Sequence, residues 1–393
     1  MKVLFLTPRP PWPVRRGDQA RAATLIAGIA SRHQVRVVAL RPAGFSPCRW
    51  PDGVAGREVE LPLRASAVAA LAHLGHPIQV GLHHSARFDA AVRDEVAAFA
   101  PDVAVVVLSR LGASLPALGD VPAVLDLVDS LRLNLASRAA RQPLAGRLLR
   151  WEARRIGAWE RALVRRVAHA TVVSRRDLAD LAAGDAALAR LVSVLPCAVA
   201  VPPTPPPDGG AGNVVLLQGN LGYFPTVEGA RWFAREVWPV LRRQYPGVEW
   251  RLAGARPTAA IRALSRLQGV KVIADPDDLG AELAAASVVV APLRAGSGTP
   301  NKVLEAMAAG IPVVATPAAA AGLDFLAGNE LAVAADNWQL ARSIAHLLSD
   351  RDAARRQAAA AWEYVRRHHS LAAVGAQFEA ILAGVVSRRA AGD

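Results

Sequence analysis

The chain has 393 residues, 52% of them hydrophobic and 20% charged, which is too long for one ordinary core of ~100–200 residues and too apolar for a disordered chain. Its formal charge of +13 comes almost wholly from arginine, and no zinc-finger, RNA-recognition or helix-turn-helix spacing accompanies it, so nucleic acid is not an expected partner. Two distant cysteines, Cys48 and Cys197, and histidines without ligand spacing point to neither a disulfide framework nor a metal site.

The first apolar run, Val3–Thr7, stops at Pro8, short of a signal-peptide core, and reads as a buried strand. The longest uncharged stretch, Ala306 to Leu323, is broken by Gly310, Pro312, Pro317 and Gly322 and is not a spanning pattern, so the expected location is cytoplasmic. After a helix from Asp18 to Ala30, β-branched runs alternate with helical patterns, with strands expected at Val35–Leu40, Glu58–Leu61, Val103–Leu108, Ala123–Asp129 and Ala170–Ser174. Between Arg138 and Arg166 the arginines 147, 150, 154, 155, 161, 165 and 166 interleave with Leu148, Leu149, Trp151, Ile156, Trp159 and Leu163. This is an amphipathic basic helix, either solvated or docked on anionic membrane at the inner face of the cell membrane.

At Val201–Gly210 a run of prolines and then glycines ends the pattern. It divides the chain into an N-terminal domain (1–200), a linker (201–212), a C-terminal domain (213–370) and a last helix (371–393) that can pack back on the first domain. The alternation restarts with strands at Val214–Gln218, Glu249–Ala253, Val270–Ala274, Ser287–Pro292 and Pro312–Thr316, and helices near Glu228–Gln244, Pro257–Gln268, Asp277–Ala285 and Pro300–Ala309. The fold class is therefore α/β, two doubly wound Rossmann-like domains, with ligands expected in a crevice beyond the strand ends where the domains face each other.

The segment Ala291–Thr316 reads strand, Gly-rich turn, helix, Gly stop, strand. Gly296 and Gly298 allow close backbone approach, Ser297 lies between them, Thr299 can cap the helix, and Pro300 suits its first position. The free amides there, joined by Asn301 and Lys302, suit a diphosphate, while Glu305, three residues beyond Lys302, can accept from sugar hydroxyls. As isolated pieces these are also a surface ion pair and a common connector.

Leu304–Thr316, together with Gly219-Asn220-Leu221-Gly222-Tyr223, Leu252-Ala253-Gly254-Ala255 and Gly296-Ser297-Gly298, resembles the retaining glycosyltransferase family 4. The branch that it looks closest to is the sugar transferases of bacterial exopolysaccharide clusters. The likeness is strongest from Val214 to Leu323 and extends loosely to Pro10–Pro13 and Gly17-Asp18-Gln19. The resemblance implies a GT-B fold, a nucleoside-diphosphate sugar as co-substrate, retention at the anomeric carbon, and no metal or other cofactor. It implies a donor site at Gly219, Asn220, Gly254, Arg256, Gly296, Ser297, Gly298, Thr299, Asn301, Lys302 and Glu305, with the base near Gly254 and Arg256. The acceptor would be a glycan, a lipid-linked sugar or a small molecule.

The chain departs from that family at several positions. Ser297 stands eight residues before Glu305 where the family has a second Glu, Asn220 and Pro225-Thr226 replace an Arg and a Lys, and no N-domain histidine is evident. Asp129, at the carboxyl end of an expected strand, either contacts a sugar hydroxyl or helps to remove the acceptor proton, a catalytic role beside Lys302, or caps the next turn. Gly17, Asp18 and Arg21 open the first helix and either line the acceptor side or cap and solvate it. Three activities stay open: a transferase, including one acting on secondary metabolites; a nucleotide-sugar epimerase; and a degenerate partner that binds sugar nucleotide without turnover.

Overall fold

In the computed structural model the described residues are 1–64, 75–140, 145–206, 212–294, 301–323 and 329–392. They form two compact units, one made of Met1–Ala198 with Leu371–Asp393 and the other of Val199–Ser370.

The first unit is built on a seven-stranded parallel sheet of β1 (Lys2–Thr7), β2 (Gln34–Pro42), β3 (Val54–Leu61), β4 (Val103–Val107), β5 (Ala123–Asp126), β6 (His169–Val172) and β7 (Val192–Val194), in the order β3-β2-β1-β4-β5-β6-β7. Side chains alternate between the faces of a strand, and here both faces are covered, so the strands read as unbroken apolar runs. Val3, Phe5, Val35, Val37, Val103 and Val105 pack on one face. Leu4, Leu6, Val38, Leu40, Ala104 and Val106 pack on the other. The helix Leu371–Ala391 closes the first of these faces with Val374, Phe378, Leu382 and Val385. It crosses the helix Gly17–Ala30 where Gly28 meets Gly375: a Cβ on Gly28 would stand 3.1 Å from the Gly375 Cα. Among the described residues it is the one helix long and apolar enough to cross a membrane by length and composition.

The second unit carries a six-stranded parallel sheet of β8 (Val214–Gln218), β9 (Glu249–Gly254), β10 (Val270–Ala274), β11 (Val288–Ala291), β12 (Val313–Ala315) and β13 (Ala332–Val333), in the order β10-β9-β8-β11-β12-β13. One face is sealed by aromatics, with Trp250 between Phe233 (ring centroids 4.6 Å apart) and Trp238 (5.8 Å).

Four segments differ from the sequence expectation. The helix expected over Glu228–Gln244 is Phe224–Trp232, a π-helical turn at Phe233–Val237, then Trp238–Gln244; Pro239 has no amide hydrogen to donate, and the wider turn in front of it removes the clash of its ring with the preceding backbone. The basic segment is two helices, Leu131–Ala139 and Gly146–Val164, with 141–144 outside the described residues. The strands β7 and β13 were not expected, because three and two residues are too few to show a period.

Candidate active site

Each sheet reverses its strand order once, at β1/β4 in the first unit and at β8/β11 in the second. Ligands of open α/β sheets bind beyond the carboxyl ends of the strands at such a point.

At the β8/β11 point the backbone comes close to itself. Gly219 (φ +121°) follows β8 and donates to the Ala253 carbonyl at 3.0 Å, and Leu221 donates to the Ala255 carbonyl at 2.8 Å. Gly254 (φ +151°) ends β9 so near to this strand that a Cβ there would lie 1.8 Å from the Gly219 carbonyl oxygen. Only glycine meets both demands. Asn220 turns its Oδ1 to the Gly222 amide at 2.9 Å, and Arg256, itself at positive φ, is exposed with its amide held by Asp275 Oδ1 at 3.0 Å.

The helix Asn301–Ala308 starts at the same place. Its Lys302 donates from Nζ to Thr226 Oγ1 at 3.0 Å, and the Lys302 Nζ and Cε stand 3.6 Å from where a Gly219 Cβ would be. Gln218, fully buried at the end of β8, donates to the Lys302 carbonyl at 3.0 Å and so fixes the start of that helix. Withdrawal from water pulls the Lys302 ammonium down to about 8, against the upward pull of Glu305. Glu305 still reaches solvent; crowding by protein raises its carboxyl above the ordinary value, and Lys302 opposes that shift. Gly219, Asn220, Gly254, Arg256, Asn301, Lys302 and Glu305 thus all belong to the strand-end region of one unit. Gly296, Ser297, Gly298 and Thr299 lie outside the described residues. The sequence set Thr226 apart only within Pro225-Thr226, as a departure from the resembled family; that it is the buried partner of Lys302, in the first turn of the helix after β8, was not visible there.

A cavity of about 260 Å³ in this unit lies elsewhere, at the opposite ends of the strands beside Pro206, Gly310, Pro312 and Trp362. It holds none of these residues, and the strand-end geometry is the better guide to the site.

At the β1/β4 point of the first unit, Gly17 is exposed and Asp18 pairs with Arg9. Gln19 is buried and donates to the carbonyls of Pro10 (2.7 Å) and Pro13 (3.2 Å), which fixes the loop after β1. Arg21 corrects the sequence expectation, because it does not line an acceptor surface. It is buried, bonded to both carboxylate oxygens of Asp126 at 3.0 Å and to the carbonyls of Leu195 (2.9 Å) and Pro196 (2.5 Å). It ties the first helix to β5 and to the chain after β7.

Asp129 follows β5 half-buried, behind Val128 at φ +64°. Leu108, at φ +68°, plays the same part after β4, ahead of Ser109 and Arg110. Left-handed backbone is costly for bulky and β-branched residues, and such strain gathers where side chains are held for a purpose. Behind both strand ends Glu160 is buried; it accepts from Ser109 Oγ at 3.0 Å and from the Leu131 amide, and burial pushes its carboxyl up to about 8.

Two further residues join this group that the sequence did not single out. His83 donates from Nδ1 to the Gln79 carbonyl at 2.8 Å, and burial beside Arg110 holds its ring down to about 4, so it is neutral at pH 7. Arg110 donates from Nε to the Gln79 side chain at 3.0 Å. His83 was visible in the sequence only as one of two adjacent histidines, and Arg110 only as one arginine among many.

Residues 212–350 match the family described as Glycosyl transferases group 1, which assigns a glycosyltransferase domain to the second unit. No curated protein matches the sequence. Among solved structures the chain is similar to sucrose-phosphate synthase from Thermosynechococcus elongatus, at 15% identity and TM-score 0.72, covering 99% of this chain and 100% of that one. It is also similar to HepE of Anabaena in complex with UDP, at 16% identity and TM-score 0.68, covering 98% and 100%. A third is the α,α-trehalose 6-phosphate synthase of Burkholderia multivorans, at 14% identity and TM-score 0.64, covering 99% of both chains. At these identities the likeness establishes the fold, the α/β GT-B architecture over nearly the whole chain.

Proposed function

We propose that the protein moves a sugar from a nucleoside-diphosphate sugar to an acceptor hydroxyl, with retention of anomeric configuration and without a metal ion, in the building of a bacterial polysaccharide or glycoconjugate. The observation that carries this reading is Lys302, held by Thr226 and Gln218 at the start of a helix, against the glycine-lined end of β8, at the switch point of the sheet. The diphosphate lies on Lys302 and the helix amides, the ribose on Glu305, and the base beside Gly254 and Arg256. UDP in the HepE structure supports a nucleotide of this kind.

Charge grows on the leaving diphosphate as the glycosidic bond breaks. A lysine with an ammonium already lowered to about 8 gains most from that growing charge, so it stabilises the transition state more than the bound donor. The acceptor is taken at the strand ends of the first unit, where Asp129 or the free Nε2 side of neutral His83 receives the hydroxyl proton. The experiment is transfer from a panel of nucleoside-diphosphate sugars by purified parent and Lys302→Ala protein. The reading requires turnover by the parent and a large loss in the variant. Donor binding with no transfer to any acceptor would favour a degenerate partner, and a changed sugar nucleotide without acceptor would favour an epimerase.

We also propose that the helix Gly146–Val164 rests on anionic membrane. Leu148 and Trp151 are 58% and 48% exposed on the same surface as Arg147, Arg150 and Arg154, an apolar wedge rimmed by cations. Sedimentation with vesicles rich in anionic lipid at low salt tests it: the parent should co-sediment and a Leu148→Ser, Trp151→Ser double variant should not. A parent that stays in the supernatant would remove membrane docking.

A further inference from the structure

The switch point of the first unit places a half-buried guanidinium, that of Arg110, among other charged groups. Arg9, Arg16, Asp18 and Asp129 all act electrostatically on Arg110, and His83 adds no charge while neutral. Asp18 is engaged by Arg9, and Arg9 and Arg16 both lie over the Phe45 ring, at 5.6 and 5.3 Å. Arg110 itself is half-buried, and its single described bond is from Nε to Gln79, a neutral amide. Among the described residues its terminal nitrogens have no carboxylate. A guanidinium withdrawn from water without an anion is costly, and the planar pair of terminal nitrogens fits an oxyanion in a two-point bond.

The fold also holds Arg110 in place. Ser109, next to it, gives its hydroxyl to buried Glu160 (3.0 Å) and its carbonyl to Trp159 Nε1 (2.9 Å), while Leu108 before it is kept at positive φ. Gln79 joins Arg110 and His83 through its side chain and its carbonyl. This is a pre-set cation at a ligand-binding end of the sheet rather than a surface arginine.

We propose that Arg110, supported by Arg9 and Arg16, forms an oxyanion subsite, and that the acceptor is a sugar or polyol bearing a phosphate or carboxylate group. The inference rests on the reading of the protein as a glycosyltransferase for the word acceptor, but not for the subsite. Bound there, the anion would bring the neighbouring hydroxyls of the same molecule near His83 and Asp129.

The test is equilibrium dialysis of labelled inorganic phosphate against full-length Lys302→Ala protein, from which the anion grip of the second unit has been removed, and against the same protein carrying Arg110→Gln or Arg110→Lys. Lys302→Ala protein should bind one equivalent, Arg110→Gln should weaken binding roughly tenfold or more, and Arg110→Lys should fall between, with melting curves to verify folding. Phosphate binding that is absent in Lys302→Ala protein, or unchanged by Arg110→Gln, would overturn the subsite. Displacement of phosphate by a hexose phosphate identifies a phosphorylated acceptor and displacement by a hexuronate identifies a carboxylated one; displacement by neither overturns the acceptor assignment. Nucleoside-diphosphate binding by the parent is read separately. If it is missing while phosphate binding holds, glycosyl transfer fails and the subsite survives; if it is present while Arg110 proves irrelevant, the subsite alone fails.

Discussion

The two units present the same architectural feature, the switch point of a parallel sheet, and furnish it with opposite chemistry. At β8/β11 the site is made by backbone: Gly219 and Gly254 adopt positive φ without strain, and one lysine supplies the charge. At β1/β4 it is made by side chains, with arginines, carboxylates and a histidine on strand ends where Leu108 and Val128 are forced to positive φ. The difference suits the ligands proposed for them. A diphosphate is recognised by amides and a point charge, whereas an acceptor is recognised by its particular substituents.

The comparison can be broken first at the buried ion pair. Asp126→Ala leaves Arg21 unpaired in the core of the first unit and should cost about 3–5 kcal/mol in denaturant unfolding. An unchanged unfolding midpoint would mean that Arg21 is no structural tie. In the second unit, Lys302→Ala should lower turnover by about 10–1000-fold while weakening donor binding by less; steady-state kinetics separate the two, and an intact catalytic constant would remove Lys302 from the chemistry.

Glu160 offers a pH test of the side-chain-built site. Its carboxyl lies near 8 in the folded unit against an ordinary 4.5, so between these values the folded state holds a proton that the unfolded chain has released. Its contribution to stability therefore falls as pH rises from about 4.5 to about 8 and is level outside that window. Melting temperatures across this range should show the fall in the parent and a flatter profile in Glu160→Gln; equal profiles would contradict the burial argument. The smallest effect expected is Thr226→Val, which takes away the acceptor that orients Lys302 and should weaken nucleotide binding about fivefold in titration.

The same contrast explains what was legible in the sequence. The residues proposed for the donor stand out in the sequence because they sit in short contiguous motifs, each carried by glycine spacing and helix-start chemistry: Gly219-Asn220, Gly254-Ala255, Asn301-Lys302 with Glu305. The alternation of strands and helices was equally plain, since strands buried on both faces read as apolar runs. At the β1/β4 point Arg9, His83, Arg110 and Asp129 are scattered over more than a hundred residues, and only the sheet order brings them to one edge. Arg21 was misread for the same reason: its partner, Asp126, is 105 residues away. The π turn before Pro239 escaped notice because the apolar spacing on either side of it is still helical.

The most direct test of the account is calorimetric titration of nucleoside diphosphates into the parent and Lys302→Ala proteins at pH 7 and pH 9. One nucleotide should bind the parent with micromolar affinity, the affinity should fall at pH 9 as a lysine titrating near 8 loses its proton, and Lys302→Ala should both weaken binding and abolish the pH dependence. Failure of every nucleotide to bind, or equal affinity in parent and variant at both pH values, would contradict it.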